Sequence, residues 1–454
     1  MDYKYIYFIG IGGIGMSALA RYCKGAGHSV SGYDKTPSPL TEQLASEGIG
    51  VHYCDDPSLV PAEKESTLVV YTPAVPEDLG EMVFVRENGY KMVKRSRMLG
   101  EICVGKRCLA VAGTHGKTST STLAAHILSS AGKDCSAFLG GISRNYGTNL
   151  IAGRGDIVVA EADEFDRSFL QLHPEVAVIT SMDADHLDIY GDIETLREAF
   201  REFASQTSGT IILKKGLPIT EKDTPARILT YHLDDPGAWF HGENFRTLPS
   251  GRCMFDLRCG KDLIIKDMAC GVPGWVYAEN SIAAAAASLC MGASPDEVKA
   301  AVDSYEGVKR RLEFHFNRDG VTYIDDYAHH PRELSATISS VRSMFPGRKI
   351  TAVFQPHLYT RTRDFAQEFA ESLSLVDKLI LLDIYPAREL PIEGVTSELI
   401  LRNVTAPEKV LISKEKLMDY LEKEDIDILV TFGAGDIDRF TGEITRMLEK
   451  RQAR

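Results

Sequence analysis

The chain contains no Cys-x-x-C pair. Its nine cysteines are scattered, and an odd number cannot all pair internally, so a reducing compartment is expected. Basic charge is not in excess either: the formal net charge is −13, which disfavours nucleic acid as a main partner. Long hydrophobic runs are missing. The longest small-apolar stretch, Ile282 to Ala293, is too short to span a bilayer, and no basic segment precedes the first strand-like run, Tyr5 to Ile9, as a secretory leader would require. Internal repeats and low-complexity tracts are absent. Together these absences predict a soluble cytoplasmic protein without membrane insertion, as a monomer or weak homo-oligomer.

What is present is an alternation of apolar strands and helical patterns along almost the whole of the 454 residues, which predicts an α/β fold with parallel sheets. The pattern starts afresh three times, at Tyr5–Ile9, Arg107–Ala112 and Val321–Ile324. The expected division is therefore 1–104, 105–307 and 308–454. The tract from about 210 to 272 shows no regular pattern, and an Ala-rich core helix is expected from about Ala278 to Leu289.

The most specific motif follows the second of these starts, where an apolar strand runs into Gly113-Thr114-His115-Gly116-Lys117-Thr118-Ser119. Such a turn presents backbone N–H groups to phosphates, with Lys117 on the β/γ oxygens and the Thr118 hydroxyl able to ligate Mg²⁺. It is not a strict Walker A sequence, because Val111 stands where the first glycine would fall. A merely structural glycine turn has no need of Gly-Lys-Thr. Near the N-terminus, Gly10-Ile-Gly12-Gly13-Ile14-Gly15-Met16-Ser17 is a full G-x-G-x-x-G between strand and helix, and the next strand ends at Asp34. This spacing lets a pyrophosphate approach the helix and gives the acid a ribose hydroxyl. Taken alone it fits a nicotinamide dehydrogenase, but a pyrophosphate is also the centre of a UDP-sugar. Tight strand–helix packing is the bland alternative.

Two further strands deliver acids to the same crevice: Glu161-Ala-Asp163-Glu164 and Asp183-Ala-Asp185-His186-Leu-Asp188. Oxygen donors suit Mg²⁺, against a solvated strand end for Glu161 and a capping or core role for His186. In the third part, strands run to Asp325-Asp-Tyr327-Ala-His329-His330-Pro331, to Gln355-Pro-His357-Leu-Tyr359-Thr-Arg361, to Asp383-Ile-Tyr385-Pro-Ala-Arg388 and to Gly433-Ala-Gly435-Asp436. His, Tyr, Arg and Asp gathered directly after strands predict a small-molecule site, with helix capping as the alternative for single residues.

With these stretches in hand, nearly the whole chain resembles the Mur ligase family. The resemblance rests on residues 10–17, 113–118, 161–164, Asp-His-Leu-Asp at 185–188, Gly-Val-Lys-Arg-Arg at 307–311, 325–331 and Gln-Pro-His at 355–357. It implies a Rossmann-like N-terminal domain for the UDP-sugar, a P-loop ATPase-like centre, and a Rossmann-like C-terminal domain bringing the amino acid. The implied activity is ATP-dependent ligation of L-alanine to the carboxylate of UDP-N-acetylmuramate through an acyl phosphate, in peptidoglycan precursor synthesis. By the same resemblance Gly12 to Ser17 and Asp34 would bind the UDP-sugar. Gly113 to Ser119, Asn280 and Arg311 would bind ATP, with Lys117 on the γ-phosphate. Thr118 and Glu161 would hold one Mg²⁺ and His186 would support a second metal. His329, His357 and Arg361 would line the place where L-alanine meets the activated carboxylate, with His329 the candidate base.

The chain departs from the family pattern in three places. Val276-Tyr277 replaces the usual His-Asn that meets adenine, Leu358 stands where Arg is common, and Thr180-Ser181-Met182 replaces Thr-Asn-Ile. The nearest rival activity is murein tripeptide ligation, whose glycine loop typically reads Gly-Ile-Cys-Gly-Thr. A dehydrogenase would leave Lys117 and Glu161 idle. A nucleotide-gated binding module would bind ATP without amino-acid-dependent phosphate release.

Overall fold

The computed structural model describes residues 3–184, 187–248, 251–387 and 389–452. It contains three sheets in two compact units, Met1–Val272 with Tyr277–Gly307, and Pro273–Val276 with Val308–Arg454. The first sheet comprises β1 (Tyr5–Ile9), β2 (Ser29–Tyr33), β3 (Gly50–His52), β4 (Thr67–Tyr71) and β5 (Lys91–Lys94), in the order β3-β2-β1-β4-β5. All neighbours are parallel. Burial on both faces is why β1 reads as an unbroken apolar run rather than an alternating one. Ile6 and Phe8 join Met16 and Leu19 of the helix Ile14–Gly25 in one core layer, while Tyr7 and Ile9 pack with Val69, Met82 and Val85 in another.

The same unit holds a ten-stranded sheet: β6 (Arg107–Ala112), β7 (Ser136–Phe138), β8 (Leu150–Ile151), β9 (Ile157–Glu161), β10 (Val176–Ile179), β11 (Thr210–Lys214), β12 (Arg227–His232), β13 (Phe240–Thr247), β14 (Cys253–Cys259) and β15 (Leu263–Ala269). Their order is β15-β14-β13-β12-β11-β10-β6-β9-β7-β8. Strands β6, β9 and β10 are parallel and in step, with Val111 opposite Glu161 and Ala112 opposite Ile179. Their C-terminal ends therefore open at one edge. The tract 210–272, without regular pattern in the sequence, is the strands β11 to β15. Of these, β13 to β15 form an antiparallel meander. The Ala-rich segment is the helix Trp275–Cys290, buried from Ser281 to Ser288.

The second unit is built on β16 (Glu313–Arg318), β17 (Val321–Asp326), β18 (Ile350–Phe354), β19 (Lys378–Leu381), β20 (Glu408–Leu411) and β21 (Ile428–Phe432), ordered β16-β17-β21-β18-β19-β20. Only the β16–β17 pair is antiparallel. Among the described residues no helix is long and apolar enough to cross a membrane. All nine cysteines are free thiols, and Cys54 alone is exposed. Burial pushes the thiols of Cys23, Cys259 and Cys270 up to about 12.

Candidate active site

After β6 the chain enters Gly113 with φ +133° and leaves the turn through Gly116 with φ +82°, both in backbone regions that side chains avoid. A Cβ at Gly113 would run into the Thr180 hydroxyl, and one at Gly116 would lie 3.1 Å from Asn280 Oδ1. Asn280 thus stands beside the loop. Gly116 caps the helix Lys117–Ser130 without a side-chain hydrogen bond, so N–H groups of the first turn remain available to an anion. The turn is braced from the end of β10. The Thr180 hydroxyl donates to Ala112 O at 3.1 Å and also to the His115 carbonyl. Ser181 Oγ accepts from His115 N–H at 2.8 Å and lies 2.9 Å from Thr114 Oγ1. Thr180, which keeps the family residue, and Ser181, noted in the sequence only as a departure, are the loop's scaffold. His115 Nε2 lies 3.6 Å from Asp183 Oδ2.

Lys117 points back under the turn. Its Nζ donates to Gly113 O at 2.7 Å and to both Glu164 oxygens at 2.7 and 2.9 Å. Burial alone would lower this ammonium, but the carboxylates of Glu164, Asp163 and Glu161 outweigh it and hold its pKa above the ordinary lysine value. Glu164 is fully buried, so it acts as the lysine's counter-ion, a role that the acidic run left unassigned. Thr118 Oγ1 donates to Glu161 Oε1 at 3.1 Å, and Gly140 N–H donates to Glu161 Oε2 at 3.2 Å. This hydroxyl and carboxylate are hard oxygen donors of the kind Mg²⁺ selects. No group of three or more His, Cys, Asp or Glu able to hold a metal occurs among the described residues, so phosphate and water oxygens would complete such a shell. His186 and Asp185 lie outside the described residues.

The first glycine loop follows β1. Gly12 N–H donates to Asp34 Oδ2 at 2.7 Å, and the other oxygen accepts from Thr36 N–H at 3.2 Å. Asp34, expected on a ribose hydroxyl, is thus engaged in shaping the loop. Gly13 caps the helix Ile14–Gly25 with no side-chain bond and no acid in its first turn. Met16 and Ser17 are buried, and the Ser17 N–H already donates to Gly13 O at 2.8 Å. Asn149, missed in the sequence, secures the start of this helix: its Nδ2 donates to Ile14 O at 2.5 Å and to Ser17 Oγ at 2.9 Å, while its Oδ1 accepts from Arg21. No motif marks it; only the fold brings residue 149 to residue 14.

In the second unit the motif after β17 divides its labour. Asp325 accepts from Arg310 Nε at 3.1 Å, and Asp326 accepts from the N–H groups of Leu312 and Ala328 at 2.7 and 2.8 Å. They pin the strained turn in which Arg310 and Leu312 have φ of +60° and +47°. Burial pushes the Asp326 carboxyl up to about 6. Arg311, expected at the nucleotide, lies 5.1 Å from the Tyr327 ring centroid and 3.9 Å from Glu333. His330 caps the helix Pro331–Met344 in a reciprocal box with Glu333, so for that histidine the structural alternative holds. His329 places Nδ1 3.0 Å from Tyr327 O and 3.4 Å from Glu333. Its ring centre is 6.1 Å from that of His357, which stacks on Tyr385 at 5.8 Å. Burial drives the His329 imidazole down to about 4; Glu333 opposes this, and the charges of Arg361 and Arg311 reinforce it. Leu358, in place of the common Arg, is buried with φ +71°.

A glycine turn with its buried lysine and a hydroxyl–carboxylate pair, preceded by a second glycine loop and followed by a third sheet with a histidine cluster, is the layout of a three-part nucleotide-dependent ligase. The chain belongs to the Mur ligase family, whose members are ATP-dependent ligases: the models described as Mur ligase family catalytic domain, Mur ligase middle domain and Mur ligase glutamate ligase domain match residues 5–107, 111–288 and 310–435. It is 48% identical to the UDP-N-acetylmuramate--L-alanine ligase of Porphyromonas gingivalis, covering 98% of this chain and 99% of that one. To the enzyme of the same name from Parabacteroides distasonis it is 49% identical, over 98% and 97%. The crystal structure of the UDP-N-acetylmuramate-alanine ligase of Thermotoga maritima superimposes with a TM-score of 0.83 at 26% identity, covering 99% of both chains.

Proposed function

We propose that the chain joins L-alanine to the carboxylate of UDP-N-acetylmuramate, with ATP converted to ADP and phosphate, as a step in peptidoglycan precursor synthesis. The observation that carries this reading is the convergence of Lys117, Thr118 and Glu161 around one uncapped helix N-terminus, in a chain whose relatives bear that activity in their names. All three groups address the β/γ end of a triphosphate, where charge develops during γ-phosphoryl transfer. The proposed domains are 1–104 for the sugar nucleotide, 105–307 for ATP and 308–454 for the amino acid.

A carboxylate resists attack by an amine, so one of its oxygens must first take the γ-phosphoryl group. Lys117 exchanges Glu164 for the phosphate oxygens and offsets the repulsion between two anions. Thr118 and Glu161 would hold Mg²⁺, which when bound supplies further positive charge at those oxygens. The alanine amine then attacks the acyl carbon, and phosphate leaves with that carboxylate oxygen. His357 and Arg361 are assigned to the acyl phosphate and the amino acid. His329 is assigned as the base for the amine. Burial keeps its imidazole neutral, so His329 can accept a hydrogen bond, and then the proton, from the attacking amine.

Labelling the muramate carboxylate with ¹⁸O tests the course: label should appear in inorganic phosphate. Label in AMP would refute it, and phosphate release with the tripeptide but not with L-alanine would favour the recycling activity.

A further inference from the structure

Arg95 opens the helix Arg95–Cys103 directly after β5. Its side chain lies across the last glycine of the first loop: a Cβ on Gly15 would sit 2.7 Å from Arg95 Nη1 and 3.1 Å from its Cδ. The other terminal nitrogen, Nη2, reaches Asp163 Oδ2 at 3.3 Å. One guanidinium therefore touches the glycine loop with one arm and the acidic run after β9 with the other. The bond to Asp163 is long for a charge-assisted pair, and Asp163 is about one-third exposed, at 36%, so the tether is weak. The glycine loop itself carries an acid, because Asp34 accepts from Gly12 N–H. A diphosphate entering there meets that negative charge and needs a cation beside it. A planar guanidinium that can offer two parallel donors matches phosphate oxygens.

We infer that Arg95 is a binding residue for the diphosphate of the sugar nucleotide, held by Asp163 while the loop is empty and transferred to the diphosphate when it fills. This rests on the assignment of the Gly10–Gly15 loop to the UDP-sugar. Gly15 is then required for a second reason besides close approach of the backbone: any side chain there would displace the arginine.

Calorimetric titration of the full chain with UDP, without ATP, tests the inference in the wild type, Arg95→Met and Asp163→Asn. Arg95→Met should weaken UDP binding by about 10- to 100-fold, the range for losing a charge-assisted contact. Asp163→Asn should tighten it, because the competing carboxylate is gone. A strut that merely joined the two sheets would make both variants weaker, and that result overturns the inference. So does an Arg95→Met variant that binds UDP as the wild type does but loses UDP-N-acetylmuramate, since the arginine would then serve the muramate carboxylate. Should Arg95→Met fail to fold, the sign of the Asp163→Asn effect still decides. Absence of UDP binding in the wild type would instead remove the sugar-nucleotide assignment on which the inference rests.

Discussion

Two buried charges govern what single substitutions should do. The Lys117 ammonium is matched chiefly by the fully buried Glu164, and removing one partner of such a pair costs up to about 3–5 kcal/mol, less what Asp163 and Glu161 still compensate. Glu164→Ala should lose stability of that order in urea unfolding, and ATP should raise its melting temperature more than the wild type's, because phosphate replaces the missing carboxylate. Lys117→Ala should abolish turnover yet leave UDP-N-acetylmuramate binding intact by calorimetry, since the two loops follow strands of different sheets. At His329 the folded pKa of about 4 lies below the unfolded value of about 6.5. Neutral His329 therefore costs nothing above pH 6.5, but as pH falls toward 4 the unfolded chain takes up a proton that the folded chain refuses. Relative to His329→Gln, the wild type should lose about 3 kcal/mol between pH 6.5 and 4. The shift at Asp326 has the opposite sign, with a folded value near 6, but it is common to both proteins and cancels in their difference. Urea titrations at four or five pH values would give the slope.

At the scale of elements, the turn after β6 depends on the end of β10. Thr180→Val removes the hydroxyl whose single hydrogen is shared between Ala112 O and the His115 carbonyl, a loss of about 1 kcal/mol. The KM for ATP should rise several-fold with little change in UDP-sugar affinity; equal losses in both would show that the whole unit had loosened. Parallel strands that are buried on both faces, such as β1, β6 and β9, were legible because their apolar runs end in glycine or acid at the sheet edge. The meander β13 to β15 was not, although β14 carries a signal: Cys253, Phe255 and Leu257 are buried and alternate with partly exposed Met254, Asp256 and Arg258. Charged residues on the open face hid that period of two. The phosphate-turn residues could be named from spacing alone. The acidic run with Glu164 could be placed at the same crevice but not paired with Lys117, and Asn149 and Arg95 could not be named, because only tertiary structure brings them to Ile14 and Gly15.

For the molecule as a whole, the last of the three breaks between compact units falls after Gly307, and the residues just before it are fastened. Arg144 N–H donates to Gly307 O at 3.0 Å, Asn145 Nδ2 to Ser304 O at 3.0 Å, and Glu306 N–H to Asn145 Oδ1 at 2.9 Å. Asn145→Ala should increase amide exchange at residues 304–307 in mass-spectrometric deuterium labelling, without altering exchange in β1. The cysteines offer a different handle. Eight of the nine thiols are at least partly covered and Cys54 is exposed, so brief treatment of the native protein with a maleimide dye should attach a single label. Cys54 stands just past β3, whose His52 carbonyl accepts from Asp34 N–H at 3.0 Å, so the dye would sit beside the first glycine loop. The unmodified sequence thus comes with a built-in fluorescent reporter position, whose signal would show in real time whether a sugar nucleotide entering the solution reaches that loop.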